Sequence, residues 1–278
     1  MMKKLTCLVV VALVASLVSV AFATPRDGAV GLIRAENEKQ LIPLLTQSEP
    51  GLTVEGAYQV QKAYISMKLA GGEQIAGFKG GLTAAGVQKR FGMNAPVTGV
   101  LLESGKLTGS PVLDRSRYGA LMLETEVAFI IGESIRDTLP DIASLRPKIR
   151  AVLPSIEVPD LGVTDMKQLK AQDLIACNVS ARQFILGREL EPAAIDPNAV
   201  QVTLFQNGTP INTGNGADAL GDQWNTALWL VNSMIAQGYT IEPGQVLMTG
   251  ALGAMLPGKP GSYVADFGSL GRIEFEVK

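Results

Sequence analysis

The segment MLETEVAFI, residues 122–130, reads as a β-strand with apolar flanks, yet it carries two carboxylates one residue apart. Side chains alternate between the faces of a strand, so Glu124 and Glu126 project together while Thr125 and Val127 face the other way. Their Cα atoms stand roughly 6.5–7 Å apart, twice the rise per residue, and two Glu side chains can converge on one ion across that gap. An exposed edge strand with both acids in water is the plainer reading. The flanks LML and VAFII argue instead for burial on both faces. Buried without a partner, the two charges would repel and each would lose hydration worth several kcal/mol. A divalent cation removes both penalties.

A second apolar run, AVLPSIEVPD at 151–160, holds another isolated acid, Glu157. Two carboxylates from one strand and one from another make a facial set of oxygen ligands that leaves positions open for water or substrate. Two further residues stand out. Lys79 lies in GFKGGLT, where glycines on both sides let the backbone approach a ligand closely. A lysine there can neutralise a substrate carboxylate or a developing enolate, although an ordinary turn lysine fits the same motif. Glu103, in GVLLESGK, is a candidate general acid/base or a solvated turn acid.

Composition narrows the chemistry. The 278 residues contain no histidine. A Ser-His-Asp triad, a Cys-His pair and the usual zinc sites are thereby excluded, and proton transfer falls to Glu, Asp, Lys, Tyr, Cys or water. Oxygen ligands favour hard ions such as Mg²⁺, Mn²⁺ or Ca²⁺.

The N-terminus has the layout of a secretory signal peptide over residues 1–23: Lys3 and Lys4, a long apolar run, then an Ala-x-Ala site ending at Ala23. An uncleaved membrane anchor is the alternative. Cleavage leaves 255 residues starting at Thr24 and moves the formal charge from -2 to -4. This acidic balance, with no basic block, gives no footing for nucleic acid. The expected location is periplasmic or secreted, with no membrane association after cleavage. One cysteine, Cys177, remains and cannot form an internal disulfide.

Residues 28–72 read as helical, through NEKQLIPLL and VEGAYQVQKAYISMKLAGG, and Gly71-Gly72 closes the second helix. IAGFKGGLTAAGVQKRFGM reads as a Gly-rich turn followed by a short helix. From Gly99 onward strand-like runs alternate with turns: MLETEVAFII, AVLPSIEV, SARQFILG, AVQVTLFQN, GQVLMTGA, GSYVADFG and GRIEFEVK. One helix, ALGDQWNTALWLVNSMIAQG, interrupts them and stops at Gly238. PGKPG at 257–261 is a rigid turn before the closing strands. A short helical part at 24–75 thus precedes a β-rich part at 76–278, and the layout argues against a doubly wound sheet.

GFKGGLT, ETE, VLPSIE, LIACNVSARQFILG and GQVLMTGALGAMLPGKPGSYVADFGSLGRIEFEV occur in this order. The set resembles the 2-keto-4-pentenoate hydratase and 4-oxalocrotonate decarboxylase family of the fumarylacetoacetate hydrolase-like superfamily, from about residue 35 to the C-terminus. The resemblance implies an α+β fold, a mixed β-roll behind a small helical N-terminal part. It implies a Mg²⁺ or Mn²⁺ site matching Glu124, Glu126 and Glu157, with the family lysine at Lys79, an aspartate position at Glu103 and a serine at Ser180. It also implies a lyase acting on a short 2-oxo acid or 2-hydroxydienoate, in a homo-oligomer. Two positions depart from the family pattern: ACNVS carries Cys177 where ADNAS is common, and LGDQ carries Asp222 where LGHP is common. A C–C bond hydrolase and a non-catalytic exported relative that binds a metal or 2-oxo acid are the alternatives. Hydrolases of the superfamily generally use a Glu-His pair, which this chain lacks.

Overall fold

The computed structural model describes residues 24–278, and the signal-peptide reading of residues 1–23 lies outside the described residues. The first described residue, Thr24, caps helix α1 (Pro25–Asn37). Its hydroxyl accepts from the Asp27 N–H while the Asp27 carboxylate accepts from the Thr24 N–H at 2.9 Å. This reciprocal box satisfies two orphan donors of the first turn. A short helix α2 (Leu45–Ser48) follows, then α3 (Val54–Ala70), which Thr53 caps through the Gly56 N–H at 3.0 Å.

The expected helix over NEKQLIPLL does not form. Pro43 disfavours helical backbone at Ile42, and Lys39 turns left-handed at φ 54°. Ile42 instead makes a parallel bridge to Val163. The buried faces of α1 and α3, with Leu32, Val60 and Ile65, join the same core as Phe78, Val100 and Val127. The N-terminal helices therefore share the core of the sheet.

The strands are β1 (Ile75–Gly81), β2 (Val97–Leu102), β3 (Lys106–Leu107), β4 (Val112–Leu113), β5 (Met122–Ile131), β6 (Ile149–Val158), β7 (Gln183–Leu186), β8 (Gln201–Gln206), β9 (Thr209–Asn215), β10 (Val246–Met248), β11 (Leu256–Pro257), β12 (Gly261–Asp266) and β13 (Arg272–Val277). Helices α4 (Ala85–Arg90), α5 (Ile142–Leu145), α6 (Ala171–Ala176) and α7 (Gln223–Ala236) lie between them. The larger sheet has eight strands in the order β2-β1-β10-β5-β6-β7-β3, with β11 added to β5. Its two ends, β2 and β3, are joined by the three-residue turn Glu103–Gly105. The sheet must therefore curl until its edges meet, which gives the expected mixed roll.

Ala128, Ile130, Leu153, Phe184 and Met248 pack together inside the roll, while Val127, Phe129, Ile131 and Ile156 face the outer core with α3 and α7. Both faces of β5 are buried, as its flanks predict. A five-stranded sheet, β4-β13-β12-β8-β9, completes the fold. Its β8–β9 hairpin turns on Asn207 and Gly208, both at positive φ (50° and 78°), and β9 is a strand that the sequence reading missed.

The Gly-rich stretch IAGFKGG is not a turn: it is β1, between β2 and β10 in the sheet. Its glycines are there for close approach. A Cβ at Gly77 would stand 2.0 Å from the Val246 carbonyl oxygen, and one at Gly81 would stand 2.5 Å from a Val179 methyl.

Candidate active site

In the β5–β6 ladder Glu124 lies directly opposite Glu157, and Glu126 opposite Ser155. Residues opposed in an antiparallel pair share a face, so the three carboxylates point into the roll together. Lys79 joins them by register: it pairs with Met248, which pairs with Ala128, two residues from Glu126 on the same face. Glu126, Glu157 and Lys79 are at most 2% exposed, and Glu124 is half-buried. One oxygen from each carboxylate lies within 4.8 Å of the others.

The polar contacts of this cluster are incomplete. The Lys79 ammonium donates to Glu157 Oε1 and, at 2.8 Å, to the Val179 carbonyl. The Gly250 N–H donates to Glu126 Oε2 at 2.7 Å. Glu126 Oε1 and Glu157 Oε2 are buried with no partner among the described residues. A buried acceptor left unpaired costs about 1–3 kcal/mol, and more when charged. Three carboxylates against one ammonium leave two negative charges when all are ionised. An all-oxygen donor set with converging unpaired atoms and that charge fits Mg²⁺ or Mn²⁺.

The protonation equilibria reflect the same crowding. Burial, then the neighbouring Glu157 charge, raises the Glu124 carboxyl to about 8, with Lys79 opposing. Burial and the charges of Glu157 and Glu124 push Glu126 well above the ordinary carboxylate range. Burial works against the Lys79 ammonium, but Glu157, Glu124 and Glu126 together outweigh it and hold the lysine above its ordinary value. Lys79 is therefore a fixed positive charge at neutral pH.

What holds the lysine is a feature that the sequence reading missed. Asn178, Val179 and Ser180 are three consecutive left-handed residues, at φ 58°, 52° and 55°. This backbone is costly for a β-branched residue and persists only where its surroundings enforce it. Here the Asn178 side chain accepts from the Val100 N–H at 2.7 Å and donates to the Val100 carbonyl at 2.8 Å, pinning the turn to β2. The turn aims the Val179 carbonyl at Lys79.

Ser180 is buried, and its own carbonyl accepts from the Asp160 N–H at 3.0 Å. It lines a cavity of about 630 Å³ between the N-terminal helices and the mouth of the roll, together with Tyr64, Tyr118 and Arg182. The structure does not bring Glu103 to the carboxylates. Glu103 is exposed in the turn after β2, four residues beyond Gly99, the partner of Lys79, or roughly 13 Å along the strand. The two departures from the family pattern also find places. Asp222 is the N-cap of α7, accepting from the Asn225 N–H at 2.7 Å and from Asn198 at 2.5 Å. Cys177 ends α6 and lies 3.9 Å from the Ser180 hydroxyl, with burial pushing its thiol pKa up.

The sequence matches the fumarylacetoacetate (FAA) hydrolase C-terminal family over residues 95–278. The chain belongs to that family. Among its relatives, the 2-keto-4-pentenoate hydratase of Paraburkholderia phymatum is 31% identical over 247 residues, covering 88% of this chain and 94% of the relative. The 2-keto-4-pentenoate hydratase of Paraburkholderia xenovorans is 28% identical over 255 residues, covering 90% and 94%. In three dimensions the chain is similar to the 4-oxalocrotonate decarboxylase of Pseudomonas putida G7 complexed with magnesium and adipate. The TM-score is 0.86 at 25% identity, over 91% of this chain and 97% of that one. The α+β fold read from the sequence is thus that of the FAA hydrolase family.

Proposed function

We propose that the protein is a metal-dependent lyase that hydrates a 2-hydroxydienoate, or decarboxylates a 2-oxo acid, through an enolate. The observation that carries the proposal is the buried set Glu124, Glu126 and Glu157 beside Lys79, with two carboxylate oxygens unpaired. The hydratase names of the relatives support the hydro-lyase reading.

A bound Mg²⁺ or Mn²⁺ would supply Lewis-acid polarisation of a 2-oxo oxygen. Glu124, Glu126 and Glu157 would hold it, and the Gly250 N–H fixes the rotamer of Glu126 so that its second oxygen stays available. Lys79 adds a permanent positive charge beside the negative charge that develops on an enolate, in surroundings that screen it little. Leu153, Phe184 and Met248 fill the roll beneath the cluster and keep bulk water from that side. Ser180 lines the approach and is suited to orient a substrate carboxylate. Glu103 has no part in this scheme.

The location follows the N-terminal reading: export through a signal peptide ending at Ala23, to the periplasm or outside the cell. A chain starting at Thr24 keeps every residue of the first helical cap, so cleavage there is compatible with the fold. Homo-oligomer formation is part of the proposal, with exposed Leu41, Val112 and Met166 as apolar surface for contact.

Calorimetric titration of oxalate, a planar mimic of a pyruvate enolate, tests the site. Binding that requires Mg²⁺, together with loss of the ultraviolet absorbance of a 2-hydroxydienoate, is the expected result. Absence of both removes the proposal.

A further inference from the structure

Glu126 is held by one main-chain donor, and that donor sits where the regular ladder has ended. Strand β10 pairs with β5 only as far as Met248, opposite Ala128. Two residues on, the Gly250 N–H goes to a side chain, Glu126 Oε2, at 2.7 Å. Position 250 must be glycine: its φ is 107°, and a Cβ there would stand 2.2 Å from the Thr83 hydroxyl oxygen. Glycine is also the residue least able to hold its own backbone in one conformation. The direction of this N–H is therefore set by what grips the chain on either side.

On the far side the Leu252 N–H donates to the Thr125 carbonyl at 2.7 Å, and the Thr125 hydroxyl donates to the Leu252 carbonyl at 2.9 Å. On the near side the grip is Thr249, which is fully buried. Its N–H approaches the Val127 carbonyl at 3.2 Å, a long bond. Its hydroxyl stands 2.9 Å from the same carbonyl and 2.6 Å from Gln223 Oε1. Gln223, also fully buried, opens helix α7. Its Nε2 donates to the Gly216 carbonyl at 2.6 Å, and its N–H donates to Asn198 Oδ1 at 2.7 Å. A carbonyl only accepts, so the Gly216 contact assigns the amide nitrogen to that end and turns Oε1 toward Thr249. Packing α7 against the sheet would be served by apolar side chains without the desolvation cost of a buried amide and hydroxyl. What these two add is a directed link from the start of α7 to the peptide that presents the Gly250 N–H.

We propose that Gln223 and Thr249 are positioning residues for the metal site. They hold the Thr249–Gly250 peptide so that its N–H locks one oxygen of Glu126 and leaves the unpaired oxygen, Oε1, to the ion. The inference rests on the metal-dependent reading of the three carboxylates. Neither residue reaches the site itself; both act through Gly250.

The test is calorimetric titration of Mg²⁺ into chelator-stripped protein without substrate, with the metal-free Tm measured alongside. Thr249→Val and Gln223→Met should each weaken Mg²⁺ binding by about tenfold, the lower end of what outer-shell partners of a metal ligand contribute. Thr249→Ser, which keeps the hydroxyl, should retain most of the affinity. The double variant should bind no more weakly than the weaker single, because both residues act through one link. Thr226 is the control: it is equally buried on α7, and its hydroxyl bonds back to the Ala219 and Asp222 carbonyls at 2.9 and 2.7 Å. Thr226→Val should lower the metal-free Tm and leave Mg²⁺ affinity unchanged. Wild-type affinity in Thr249→Val or Gln223→Met overturns the inference alone, as do additive losses in the double variant or an equal loss in Thr226→Val. Either single variant carries the measurement if the other does not fold. A wild-type protein that binds no Mg²⁺ removes the metal-dependent reading and this inference with it.

Discussion

Between pH 5 and 8 the metal-free protein should lose stability as the pH rises, and a divalent ion should restore it. In the folded state the Glu124 carboxyl titrates near 8, whereas in the unfolded chain it returns to the ordinary carboxylate value. Over that interval the folded protein holds a proton that the unfolded chain has released. Stability therefore falls with pH by about 1.4 kcal/mol per unit for this one group. From pH 5 to 7.5 the loss is roughly 3 kcal/mol, or about 6–12 °C in Tm for a chain of this size. The raised Glu126 carboxyl acts in the same direction. A metal ion must displace these protons, so its affinity should climb up to about tenfold per pH unit for each proton released. Scanning calorimetry of chelator-stripped protein at pH 5, 6, 7 and 8, with and without Mg²⁺, measures the stability side. Titration of Mg²⁺ in two buffers of different ionisation heat counts the protons. Metal affinity that is flat with pH, with no proton release, would refute the reasoning.

Glu126→Gln keeps an acceptor for the Gly250 N–H and removes one charge from the cluster. The metal-free variant should melt no lower than the wild type, while metal affinity falls by more than about a hundredfold and turnover is lost. An unchanged metal-induced Tm shift would contradict the ligand assignment. Asn178→Ala strands the buried Val100 N–H and carbonyl and should cost about 2–4 kcal/mol. It should also lower kcat more than the cap variant described next, because the Val179 carbonyl loses its aim at Lys79; full activity would show that the turn is only structural. Asp222→Ala removes a helix N-cap and should cost about 1 kcal/mol, with kcat unchanged. A large loss of turnover in that variant would place Asp222 in the chemistry.

Much of the site was legible because its signals are local. Two acids at i and i+2 within an apolar strand share a face whatever the rest of the chain does, and Glu157 stood out as a lone acid in a second apolar run. The absence of histidine excluded whole mechanisms before any geometry was known. The misreadings have one cause in common. GFKGG looks like a turn because glycine favours turns locally, but its glycines answer to Val246 and Val179, about 100 residues or more along the chain. Glu103 looked eligible because it follows an apolar run, and only the curl of the sheet decides which strand ends meet. The Asn178–Ser180 turn has no sequence signature, since a left-handed valine exists only where packing enforces it. NEKQLIPLL has helical spacing, yet Pro43 and a bridge to Val163 make it a connection.

The sequence by itself determined the alternation that aims Glu124 and Glu126 together, the oxygen-only chemistry and the order of helical and β-rich parts, because each depends on residue type and short-range periodicity. The tertiary structure alone decided that Glu157 stands opposite Glu124, that Lys79 is sealed against it, and that Arg182 faces a cavity beyond them. Strand register, sheet closure and burial are set by contacts between residues far apart in the chain, and no local pattern encodes them.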